Sequence, residues 1–183
     1  MKKIGLITFH GSNNCGSMLQ AFALQKKIYD LGYTSTIINF SSRGQRDLYS
    51  IMPSFFLNGH FRKSQVKLWF LCIPFKNILK KENFDYKSFQ SKYFVMTDKE
   101  YYDNESLCNE DFDFDVYITG SDQVWNINCV DADDAYFLNF VKQGKKIAYA
   151  TSLGANDIKK TPCNPDKYVN YLKSFDFISV REM

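Results

Sequence analysis

A strand, a polar loop, a helix, a glycine and a second strand succeed one another within residues 3–40, and few architectures accommodate that order. Residues 3–9 (Lys-Ile-Gly-Leu-Ile-Thr-Phe) have the apolar content of a short buried strand. The loop His-Gly-Ser-Asn-Asn-Cys-Gly fills residues 10–16. From Ser17 to Leu31 the apolar residues Leu19, Phe22, Ala23, Ile28 and Leu31 recur at helical spacing, and Gly32 provides a stop. Residues 34–40 (Thr-Ser-Thr-Ile-Ile-Asn-Phe) then read as a second strand. This βαβ unit predicts an α/β, Rossmann-like three-layer domain with a mostly parallel sheet.

Strand character returns at residues 115–119, 145–150 and 175–180, each followed by a turn or polar segment, so the sheet is expected to continue through residues 1–183 as one domain. Residues 41–110 lack a strand rhythm and read as a helical excursion, with helical stretches near 61–81 and 84–93 and breaks at Pro53 and Pro74. Its apolar block, residues 68–75 (Leu-Trp-Phe-Leu-Cys-Ile-Pro-Phe), falls far short of the roughly 20 residues a membrane span requires. It is expected to pack on the domain, with a membrane-surface patch as the other reading.

The formal net charge of +3 is unevenly placed: residues 41–100 hold eleven Lys or Arg and five Asp or Glu, whereas residues 101–140 hold ten acids and no Lys or Arg. The basic stretch suits a solvated helical face, an anionic polymer or an anionic membrane, which makes peripheral membrane association one expectation. No nucleic-acid-binding motif accompanies the charge, so no nucleic-acid partner is expected. The five cysteines, at 15, 72, 108, 129 and 163, form no Cys-x-x-Cys pair and read as reduced thiols, neither a disulfide framework nor a metal site. Met1-Lys2-Lys3 leads into a short apolar run with no cleavage site, so the expected location is cytoplasmic, with the inner face of the membrane as an option. Seventeen Phe and twelve Tyr serve either as core filler or as stacking surfaces for a flat ligand or sugar ring.

Polar side chains collect where three strands end. Residues 116–118 favour a buried strand, Gly120 ends it, and Ser121, Asp122, Gln123, Trp125 and Asn126 follow at its carboxyl edge. Asp122 reads as an acid/base group or as a helix cap, and Trp125 as a stacking surface or a core anchor. In the first βα loop, Gly11 and Gly16 permit close backbone approach, and Asn13, Asn14, Ser17 and Gln20 could hydrogen-bond a sugar or phosphate, Asn14 or Ser17 alternatively capping the helix. His10, at the edge of the first strand, is a second acid/base candidate; His60 is expected at the surface. The loop matches neither Gly-x-Gly-x-x-Gly nor a P-loop, so no dinucleotide or nucleotide cofactor is expected. With residues 151–155, three strand ends are expected to meet at one crevice.

These residues resemble the polysaccharide pyruvyl transferases. The matching stretches, in order, are residues 3–25, 114–126 (Phe-Asp-Val-Tyr-Ile-Thr-Gly-Ser-Asp-Gln-Val-Trp-Asn), 135–140, 146–154 and 178–182, with Gly-Ser-Asp-Gln-Val-Trp-Asn the most specific signal. Cys15 is a mild departure from the pattern. The resemblance implies transfer of a pyruvyl group from phosphoenolpyruvate onto a sugar of a cell-surface or capsular polysaccharide, as a ketal. It also implies a GT-B-like enzyme of two Rossmann-like halves, of which this chain covers the N-terminal one, the C-terminal half with its basic donor-binding residues being absent. What carries over is the acceptor side: His10, Asn13, Asn14, Gly16, Gly120, Ser121, Asp122, Gln123, Trp125 and Asn126. The alternative is a non-catalytic half-domain that binds a sugar or pairs with a second half-chain.

Overall fold

Every pairing in the main sheet is parallel. The computed structural model describes residues 2–51, 56–57, 60–61, 63–154 and 164–181. Along the chain run β1 (Lys3–Ile7), α1 (Cys15–Asp30), β2 (Thr34–Ile37), α2 (Arg43–Leu48), a small antiparallel hairpin of β3 (Phe56–Leu57) and β4 (His60–Phe61), α3 (Lys63–Cys72) and α4 (Lys76–Tyr93). Then come α5 (Asn104–Cys108), β5 (Val116–Asp122), β6 (Lys145–Thr151), α6 (Pro165–Lys173) and β7 (Phe177–Val180). The sheet order is β2-β1-β5-β6-β7. The five expected strands are therefore present, with ends shifted by a few residues.

Both faces of the sheet are covered, which is why its strands are apolar on both sides. Successive side chains of a strand point to opposite faces. Ile4 and Leu6 of β1 and Val116 and Ile118 of β5 pack with Met18, Ala21, Leu24 and Ile28 of α1. Ile7 and Tyr117, one residue out of step, join the opposite core with Phe9, Trp125, Tyr136 and Phe137. This second core is built from aromatic rings: Phe9 meets Tyr136 edge-on at 4.9 Å, and Trp125 stacks on Phe137 with centroids 5.5 Å apart. These rings are core filler.

Helix α1 starts earlier than its hydrophobic spacing suggested. Asn14 accepts hydrogen bonds from the amides of Gly16 and Ser17, so the helix begins at Cys15. The buried stripe is also rotated, to Met18, Ala21, Leu24, Gln25 and Ile28, leaving Leu19 and Leu31 exposed. Gln25 belongs in it because its amide accepts from the Val95 amide and donates to the Val95 carbonyl, tying α1 to residues 94–96.

The excursion between β2 and β5 is not purely helical. Besides the β3–β4 hairpin, residues near 96 and 101 return beside β2 through the single parallel bridges Ile37–Met96 and Phe40–Tyr101. Pro74 sits in a 3-10 turn, Ile73–Phe75, from which α4 runs unbroken to Tyr93. Pro53 and the side chain of His60 lie outside the described residues. The block at 68–75 does not pack on the domain as expected: Leu68, Phe70, Leu71, Ile73 and Phe75 are exposed, because α3 leans chiefly on the turn that follows it.

Candidate active site

Strand order reverses between β1 and β5, since β1 continues to β2 on one side while the later strands build outward on the other. Loops leaving two such strands diverge and open a crevice at their carboxyl ends. The loops after β1, β5 and β6 meet there. Thr8 donates from Oγ1 to the Ser121 carbonyl at 3.4 Å, and Ser17 donates from Oγ to Asp122 Oδ2 at 2.7 Å. The Ser152 amide donates to the Asp122 carbonyl at 3.0 Å, and the Trp125 amide to the Ser152 carbonyl at 3.3 Å.

The end of β5 requires a glycine. Gly120 has φ +113°, and a Cβ there would lie 2.1 Å from the Tyr149 carbonyl oxygen. The Gly120–Ser121 peptide is cis. Asp122 itself sits at φ +144°, a conformation that non-glycine residues seldom adopt. It is held there by the Ser17 hydroxyl on Oδ2 and the Gln123 amide on Oδ1 at 2.8 Å. The carboxylate is thus fixed from both sides and half-exposed at the crevice.

Three groups that sequence reasoning missed gather around it. Tyr49, at the end of α2, and Cys129 and Asp131, in the loop after β5, all respond to the charge of Asp122. Burial first, then the negative charge of Asp122, pushes the Asp131 carboxyl above the usual carboxylate range. Burial, Asp131 and Asp122 together raise both the Cys129 thiol and the Tyr49 phenol, the latter against a hydrogen bond with Ser12. All three shifts run in the same direction. Helix α2 anchors this arrangement: the Ser42 hydroxyl donates to the Asp131 carbonyl at 3.2 Å, and Gly44 lies so close that a Cβ would come within 1.8 Å of the Val130 carbonyl oxygen. Only tertiary contact brings residues 42–49 to residues 122–131, so no local pattern could have revealed them. The acid-rich run 101–140 was the one available signal for Asp131.

The remaining expected residues divide by position. Ser17, Ser121, Gln123 and Asn126 line the crevice edge, where the Asn126 amide donates to Gln123 Oε1 at 3.2 Å. Gly16 and Asn14 form the cap of α1, and Asn13 lines a small cavity of about 190 Å³ with Tyr49, Ser50 and Glu82.

Two expectations need correction. Trp125 offers no face to a sugar: it is 2% exposed, stacked on Phe137, and donates from Nε1 to the Tyr136 carbonyl at 3.0 Å. His10 is 1% exposed, with Nδ1 3.2 Å from the Thr8 carbonyl and Nε2 3.2 Å from Asn39 Oδ1. Burial pushes its pKa below the ordinary histidine value, so it is neutral near pH 7. Donation from Nδ1 then leaves Nε2 as an acceptor, which a half-turn of the Asn39 amide satisfies. His10 is a floor support with no open ring nitrogen. Among the described residues no group of three or more His, Cys, Asp or Glu could hold a metal ion, and no helix is long and apolar enough to cross a membrane.

In comparison with known families, a family model described as polysaccharide pyruvyl transferase matches residues 14–183. No curated protein and no solved structure matched the chain.

Proposed function

The chain belongs to the polysaccharide pyruvyl transferase family, and on that premise we propose that the β1–β5 crevice receives the acceptor sugar and that Asp122 takes the proton of the hydroxyl that attacks. The observation that carries this reading is the two-point hold on the Asp122 carboxylate at the open end of β5. The donor is phosphoenolpyruvate. Two sugar hydroxyls add to its C2, one hydroxyl proton ends on C3 as the vinyl carbon becomes a methyl, and the other leaves with inorganic phosphate.

The groups around Asp122 are themselves acids. Asp122, in a stretch (101–140) without a single Lys or Arg, suits a neutral hydroxyl and offers no counter-charge to a multiply charged phosphoenolpyruvate. The basic wall that holds the donor is therefore supplied by a second, facing domain in a GT-B-like arrangement. Because reactants must be positioned from both sides, the chain by itself turns over little or no substrate.

Proton and phosphorus NMR of phosphoenolpyruvate incubated with glycoside acceptors tests this. Supplying the facing domain should yield a ketal methyl and inorganic phosphate in equal amounts. Rapid ketal formation by residues 1–183 alone, or phosphate release without ketal, would count against the reading.

A further inference from the structure

An exposed apolar face lies outside the crevice. Leu68, Phe70, Leu71, Ile73, Phe75 and Ile78 are all exposed, Phe70 and Leu71 at 63% and 66%. Leu68, Leu71 and Phe75 recur at helical spacing across α3 and the turn after it, so they share one side. Water does not favour so many adjacent large apolar side chains on a free surface, and a contiguous patch of this kind marks a contact site.

The charge around it decides the partner. Residues 63–81 carry Lys63, Lys67, Lys76, Lys80 and Lys81, all exposed, and not one Asp or Glu. A second copy meeting the patch face to face would set these five lysines against their own equivalents, with Glu82 and Asp85 past the end of the segment as the nearest acids. An anionic lipid surface meets both demands, since lysine ammonium groups reach phosphate while neighbouring apolar side chains enter the headgroup and acyl boundary. We propose that α3, the Ile73–Phe75 turn and the start of α4 dock the protein on an anionic membrane surface. This inference stands apart from the transfer reading and needs neither donor nor acceptor to be examined.

Co-sedimentation of the full chain with vesicles of phosphatidylcholine alone, or with about one third phosphatidylglycerol, is the test. The expected result is binding to the anionic vesicles only, weakened by salt. Each lysine near the surface contributes roughly a five-fold change in partition, so Lys76→Glu with Lys80→Glu should lower binding at least about twenty-five-fold. Phe70→Ser with Leu71→Ser should abolish it at unchanged circular dichroism. If that apolar pair fails to fold, the lysine pair, confined to solvated side chains, still decides. No binding to anionic vesicles, or binding indifferent to the lysine reversals, overturns the proposal. Concentration-dependent self-association that Phe70→Ser removes, without vesicle binding, overturns it in favour of a second copy.

Discussion

The Ser17 hydroxyl donates to Asp122 at 2.7 Å, joining the first turn of α1 to the end of β5 across 105 residues of chain. This bond, with the Gln123 amide, fixes the direction of the carboxylate. A hydrogen bond to a charged group contributes about 1.5–3 kcal/mol. With the proposed facing domain supplied, Ser17→Ala should therefore lower kcat at least roughly ten-fold. A parallel thermal melt should fall by only a few degrees per kcal/mol lost, with α1 still folded because Asn14 caps it. A kcat unchanged by Ser17→Ala would mean that Asp122 is oriented by other contacts.

Asp122→Asn keeps the hydrogen-bonding shape but removes the proton acceptor. A well-placed general base contributes on the order of 10²–10⁴-fold. Steady-state rates of the transferase should fall within that range at an unchanged melting temperature, while His10→Gln should cost stability more than rate. A rate within a few-fold of the parent, with Asp122→Ala lowering the melting temperature, would make Asp122 a structural cap.

Trp125→Ala should cost about 3–5 kcal/mol in urea unfolding, the range for deleting a large buried aromatic. It also removes one of the two donors to the Tyr136 carbonyl, leaving the Thr119 hydroxyl on it. A loss below 1 kcal/mol would be incompatible with the stacked, buried indole.

Gly44→Ala sets two effects against each other. Helix propensity favours alanine by about 1 kcal/mol, but the new Cβ would lie 1.8 Å from the Val130 carbonyl oxygen, where backbone must move. The clash should win, destabilising the protein and displacing α2 from the Asp131 loop. Amide exchange of residues 129–131 should accelerate in the variant.

Two groups make stability depend on pH with opposite signs. His10 has a folded pKa below its unfolded value of about 6.5, so the stability it contributes is present above that value and lost as pH falls through the folded one. His10→Gln should flatten this acid-side decline. Asp131 has a raised folded pKa, so its stabilising contribution exists only below the usual carboxylate value and is lost as pH rises through the folded one. Asp131→Asn should consequently raise the melting temperature near neutrality, with the gain vanishing in acid. Melting curves between pH 3 and 8 check both signs.

The sheet was legible because each strand carries its own local signature. Residues 3–9, 34–40 and 115–119 are apolar runs bounded by loop residues, and glycines at 32 and 120 both adopt positive φ where the chain turns. The crevice followed from topology, once three strand ends were known to carry polar side chains. The helical face of α1 was misjudged because Leu19 and Met18 are equally apolar, and only packing against β1 and β5 selects Met18. Trp125 and His10 were misread for a related reason: sequence places them at a strand edge but cannot say whether that edge is capped by Tyr136 and Asn39. Tyr49, Cys129 and Asp131 join the site through contacts between distant segments, beyond any local spacing.

The account rests on residues 1–183 forming the acceptor wall. The most direct measurement is saturation-transfer NMR of the chain with a panel of aryl glycosides and, separately, with phosphoenolpyruvate. The account predicts glycoside signals that weaken in Asp122→Ala and Gln123→Ala, and no saturable phosphoenolpyruvate binding at millimolar concentration. Tight phosphoenolpyruvate binding to this chain, unaffected by Asp122→Ala and with no glycoside contact, would contradict it.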